Sequence, residues 1–331
     1  MDLDAYVGAR SGDWARLQQL SRRRRLTGAE ADEFLDLYQR TSTHLSVVRS
    51  GSPDPSVVTY LSGVLARARL STLGSGTSVP QLLLQFFTLT FPAALYRLRW
   101  WWIGMTIASL LVAFGAGVWA MYHPEVYTSV MSPAQIDAYV NTEFENYYSE
   151  YPHHEFATLV WVNNAWVSAQ AIAMGVTGLG TLWVMYENAM NLGVAGALMI
   201  SHGRGELFFG LILPHGLLEL TAVFIAGGVG LRVFMSWIHP GARTRLASFA
   251  HEGRTAMAVV LGLVVVLLVS GFIEGFVTPS PLPTWARIGI GVLVESLFLV
   301  YVFRLGRRAV AMNVTGDVDV ADQGAAAQVS A

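Results

Sequence analysis

His215 and Glu219 stand four residues apart in "PHGLLELTAVFIAGGVGLRVF", residues 214–234. On a helix this spacing puts an imidazole and a carboxylate on one face. The run is apolar and long enough to cross a bilayer. An ionisable group inside such a run marks a candidate site, because burying it costs about 2.5–3.5 kcal/mol. Two further apolar runs carry Glu274 and Glu295. At about 1.5 Å per residue, His215 lies roughly 12 Å below the outer surface, Glu219 about 18 Å, Glu295 about 14 Å and Glu274 about 5 Å. Convergence in one protein-lined pocket would keep all four away from lipid.

Three chemistries are open to these residues. His215, Glu219 and one more carboxylate could ligate a metal such as zinc, although the chain holds no HExxH pair. They could line a proton or substrate route. They could also be structural, donating to backbone carbonyls freed by Pro214 or pairing with neighbouring helices.

A second polar group comprises Asn163 and Asn164 with Ser168 and Gln170, then Glu187, Asn188 and Asn191. These residues either cap helix ends or mark a half-helix break that lines a site. Glycines fall in three groups, Gly175/Gly178/Gly180, Gly227/Gly228/Gly230 and Gly271/Gly275. Small residues allow close helix approach, within the chain or along a homodimer seam.

The elements that must position these groups follow from composition. Of 331 residues 53% are hydrophobic and 13% charged, with a mean hydropathy of +0.45. A soluble domain carries about a quarter charged residues, so the fold class is an all-α polytopic membrane protein. There are no cysteines, which excludes disulfides and thiolate chemistry. No Walker loop, dinucleotide fingerprint or GxSxG elbow is present. No catalytic residue or cofactor is therefore expected.

Residues 1–78 read as a soluble helical bundle. Thr27 and Glu30 form a capping box. Phe34, Leu35, Leu37, Tyr38 and Leu45 make one apolar stripe, and Val57, Tyr60, Leu61, Val64, Leu65 and Ala68 another. "GSGTS" at 74–78 is a joint. Residues 79–99 read as an amphipathic helix in the interface, followed by the Trp100–Trp102 belt. Hydropathy places six spans at 100–121, 161–185, 187–203, 207–234, 256–277 and 286–304. The third is short enough to be re-entrant. The loop 122–160 contains no arginine and is rich in acids and tyrosines. It reads as external, with a short helix after Ser132-Pro133, lying on the membrane surface or on a partner. Residues 309–331 read as a disordered tail.

The arginines flank one side only if the span count is even, so both termini are expected in the cytoplasm. Arg22, Arg23, Arg24 and Arg25, with Arg97 and Arg99, are placed to meet anionic lipid headgroups rather than nucleic acid. No cleavable signal sequence is expected in the polar first 25 residues.

The order of motifs resembles one family across nearly the whole chain. "DWARL" (13–17), "LDLYQR" (35–40) and "FFTLTFPAALYR" (86–97) precede "NNAW" (163–166), "GLGT" (178–181), "HGLLEL" (215–220) and "FIEGFVTPS" (272–280). Together they resemble the stage II sporulation protein M family. The resemblance implies a multi-pass protein of the bacterial plasma membrane. It implies a non-enzymatic scaffold in a cell-envelope complex, with cell-wall enzymes, a MoxR-type ATPase or other membrane proteins as partners. It supplies no catalytic residue. Homodimerisation is expected, and the alternative is a transporter, channel or intramembrane enzyme built on His215, Glu219 and Glu274.

Overall fold

The computed structural model describes residues 3–23, 26–51, 54–73, 79–148 and 152–317. Arg24, Arg25, the 74–78 joint and the tail beyond 317 lie outside them. The described residues are helical, without strands, and divide into two compact units between Leu83 and Leu84.

The first unit is three helices: α1 (Leu3–Ser21), α2 (Gly28–Gly51) and α3 (Pro55–Leu73). Thr27 Oγ1 accepts from the Glu30 amide and Glu30 accepts from the Thr27 amide at 2.9 Å, the expected capping box. Leu17, Leu20, Phe34, Leu37, Val64 and Ala68 form the core at one level, and Trp14, Val48 and Leu61 at another. Leu35 and Tyr60, expected inside, are exposed. The apolar stripes are wider than the contact each helix makes with its two neighbours.

The boundary falls within α4 (Val79–Gln85), which is followed in the second unit by a π turn (Phe86–Thr90) and α5 (Phe91–Arg97). Six long helices follow: α6 (Arg99–Tyr122), α10 (His153–Ala173), α11 (Leu179–Ser201), α12 (Gly205–Ile238), α13 (Arg245–Phe272) and α14 (Thr284–Ala311). The short helices α7 (Glu125–Thr128), α8 (Pro133–Ala138) and α9 (Phe144–Asn146) lie between α6 and α10. Among the described residues, five stretches are long and apolar enough to cross a membrane: Val79–Arg97, Arg99–Tyr122, Gly205–Ile238, Arg245–Val277 and Thr284–Ala311. Helices α10 and α11 are long enough, at 21 and 23 residues. Their asparagines, with Gln170 and Glu187, lower the hydropathy.

α12 is the axis of this unit and packs on α6, α10, α11, α13 and α14. Val223, Ile225, Ala226 and Val229 from α12 meet Trp102, Met105, Met185, Leu263 and Val302 in one core.

Three boundaries differ from expectation. The break between the second and third apolar helices falls at residues 174–178, not at 186. Gly178, at φ 72°, turns the chain there and packs against Phe234, so α11 runs unbroken through Glu187, Asn188 and Asn191. Second, residues 309–317, expected in a disordered tail, have a defined place: α14 runs to Ala311, and Asp317 is buried and pairs with Arg254 at 2.9 Å. Third, the 122–160 loop covers its own chain. Tyr127, Ile136 and Val140 pack on Leu198, Met199 and Phe208, at the C-terminal end of α11 and the N-terminal end of α12. Ser132 caps α8 with Gln135, as its Ser-Pro signal implies.

Candidate functional site: an intramembrane His-Glu-Glu cluster

α12 supplies two members of the cluster. Pro214 is accommodated inside the helix, and His215 and Glu219 follow on one face. The third member, Glu274, comes from the π turn Ile273–Val277 that ends α13. There the Thr278 amide donates to Ile273 O at 3.0 Å, a wider turn than α.

Ligand atoms of His215, Glu219 and Glu274 all lie within 4.8 Å of one another. His215 Nε2 is 3.7 Å from Glu274 Oε1. On the other side of the ring, Nδ1 is 3.2 Å from Thr278 Oγ1. Ser270 Oγ lies 3.1 Å from the His215 carbonyl and 3.4 Å from Glu219 Oε2. Glu274 is 4% exposed, and its Oε2 is buried without a hydrogen-bond partner. The cluster opens into a cleft of about 260 Å³, which Asn163 and Asn164 from α10 also line. Tyr148, just after α9, also lines the cleft, with its ring centroid 5.9 Å from His215.

The His215 imidazole therefore faces Thr278 on one side and Glu274 on the other, not the carbonyls around Pro214. Those carbonyls meet α14 instead: a Cβ on Gly291 would sit 2.4 Å from Pro214 O. Ser270 and Thr278 are not among the residues expected at the site, although each stands four residues from Glu274 in one apolar run. Glu295 does not join the cluster. Its Oε1 accepts from Thr221 Oγ1 at 2.9 Å.

The other candidates are dispersed. Asn188 donates to Val184 O at 2.9 Å, as a helix-interior amide, while Glu187 and Asn191 are exposed on α11. Arg97, expected at lipid headgroups, turns inward. It donates to Glu252 at 2.9 Å and to Thr255 at 2.7 Å. Glu252 is buried and accepts from Arg232 as well, because a carboxylate among arginines gains most when both its oxygens are paired. Arg99 stays near the surface, over the Tyr96 ring. Arg23 pairs with Glu30, Arg22 is exposed, and Arg24 and Arg25 lie outside the described residues.

The glycine groups are occupied within the chain. A Cβ on Gly271 or Gly275 would strike Ala157 or the carbonyl of His153 in α10, and one on Gly228 would strike Trp102. The homodimer expectation keeps no support from these positions.

With this geometry in hand, the family is decided by a match. The model for the stage II sporulation protein M family covers residues 106–279, more than half of the chain. The chain belongs to the stage II sporulation protein M family. Residues 4–74, in the first unit, match a domain of unknown function, DUF8413. An uncharacterized protein of Methanocaldococcus jannaschii is 24% identical over 124 residues, which cover 37% of this chain and 70% of that protein. No solved structure matches. Stage II sporulation protein M membership covers α10 to α13 and hence all three cluster residues, and it agrees with an all-α polytopic membrane protein.

Proposed function

We propose that this stage II sporulation protein M family member is a non-enzymatic integral subunit of a cell-envelope assembly in the plasma membrane. Its N-terminal bundle serves the cytosol, and its α7–α9 segment faces outward. One observation carries the reading. Glu187 and Asn191 are exposed on α11 at helical spacing, flanked by exposed Leu182 and Trp183. Glu187 sits about 12 Å along the helix from Leu179. A carboxylate facing lipid near a helix centre costs about 2.5–3.5 kcal/mol. A neighbouring protein helix with donors removes that cost, so the membrane unit is incomplete alone. Cell-wall enzymes and MoxR-type ATPases, which the family resemblance implies, are the partners proposed, beside a second copy of the chain.

Topology supports the same reading. Residues 1–78 hold ten arginines and 122–160 hold none. Six crossings by α6 and α10–α14 keep the arginine-rich flanks on one side. Val79–Arg97 is long enough to be a seventh. Tyr301 Oη donates to Phe87 O at 2.6 Å, and Gly306 meets Pro92 O, so this segment runs parallel to α14. A seventh crossing would put the ten arginines opposite Arg243, Arg245 and Arg304. The arginine distribution therefore favours a segment that enters the bilayer without crossing it.

A photo-reactive residue at position 187, activated in native membranes, tests the assembly. The expected result is a crosslinked species of defined mass, with the complex lost in Glu187→Leu and retained in Glu219→Gln. A chain that migrates alone in native membranes and yields no crosslink at 187 would contradict it.

A second reading, transport or intramembrane chemistry in the cleft, draws support from the His215/Glu219/Glu274 convergence. It requires Glu219→Gln to abolish activity while fold and assembly persist.

A further inference from the structure

We propose that His215, Glu219 and Glu274 hold one divalent transition-metal ion, zinc by ligand type. The proposal goes beyond the assembly reading and does not depend on it.

The donor set is one imidazole nitrogen and two carboxylates, which zinc accepts at about 2.0–2.2 Å. A tetrahedral site with such bonds has ligand–ligand edges of about 3.4 Å. The 3.7 Å from His215 Nε2 to Glu274 Oε1 is already near that edge. The remaining pairs, all within 4.8 Å, need side-chain shifts of about 1 Å or less at each atom.

The unpartnered Glu274 Oε2 points to an occupant independently. A carboxylate oxygen buried without a donor costs about 1–3 kcal/mol or more, and this one belongs to a residue 4% exposed. Two carboxylates and one neutral imidazole around a divalent ion sum to zero net charge, the state that a low-dielectric interior favours.

The surroundings are those of a ligand site. Thr278 Oγ1 at 3.2 Å holds Nδ1 and leaves Nε2 facing Glu274. Ser270 lies beside Glu219 Oε2. Such partners fix ligand orientation. The cleft beneath Tyr148 gives water access to a fourth coordination position.

The test uses full-length protein purified in detergent, stripped with chelator, equilibrated with zinc and dialysed. Elemental analysis is expected to find about one zinc per chain. Glu274→Gln and His215→Gln should lose it, and Glu295→Gln should keep it. Thr278→Val should weaken zinc binding by about 10- to 100-fold. Cobalt added to the stripped wild type should give the strong visible absorption of a four-coordinate ion, a readout that needs no variant to fold. Stripped wild type that takes up neither zinc nor cobalt overturns the proposal. Equal zinc in wild type and a folded Glu274→Gln does so as well.

Discussion

Arg232 Nη2 lies 2.9 Å from Glu252 Oε1, joining the C-terminal part of α12 to the N-terminal part of α13. Arg97 takes the other oxygen at the same distance, so one buried carboxylate ties α5, α12 and α13. Removing Glu252 leaves two partly buried guanidinium groups facing each other. Glu252→Leu is therefore expected to destabilise the membrane unit by about 3–5 kcal/mol. Denaturation in mixed micelles checks this. A loss below about 1 kcal/mol would reduce the triad to the standing of a surface pair.

The approach of α14 to the proline of α12 gives a second prediction. A Cβ at Gly291 would lie 2.4 Å from Pro214 O, whereas one at Gly289 meets nothing within 4 Å. Gly291→Ala should cost about 1–3 kcal/mol by forcing the helices apart. Gly289→Ala should be neutral or slightly stabilising, since alanine is the better helix former. Equal effects in the same micelle assay would contradict the packing described.

The N-terminal bundle carries a pH dependence. Trp14 Nε1 donates to His44 Nδ1 at 3.1 Å, which requires that nitrogen to be unprotonated. Burial, then the nearby Arg10, push the His44 imidazole below its ordinary value of 6.5. The unfolded chain then binds a proton that the folded chain resists, so stability falls as pH drops below about 6.5. Pulse proteolysis in urea on the full chain measures this. The bundle's midpoint should fall between about pH 7.5 and pH 5.5, and the fall should shrink in His44→Gln. An unchanged fall in the variant would remove His44 from the explanation.

Much of this was legible because hydrophobic period and charge are local properties. The Thr27–Glu30 box, the Ser132 cap and the long apolar helices follow from a few adjacent residues. His215, Glu219 and Glu274 were legible as a set because each is out of place in an apolar run. Glu295 shared that signal and still separated, since Thr221, two residues past Glu219 and so on another face of α12, takes it instead. The 174–178 turn was missed because Glu187, Asn188 and Asn191 are a louder polar signal than "GLGT". Those side chains leave α11 sideways and never interrupt its backbone. Arg97 and Glu252 could not be paired from sequence, because only tertiary packing brings α5 against α13.

The proposed topology puts the N-terminal bundle and the C-terminal end together in the cytosol, across six crossings. The direct measurement is compartment-specific labelling of single cysteines placed at residues 12 and 315 in intact cells and in inverted vesicles, a design open because the chain has none of its own. Both are expected to be protected in cells and labelled in inverted vesicles. One cysteine labelled from each side would make Val79–Arg97 a seventh crossing and would contradict the account.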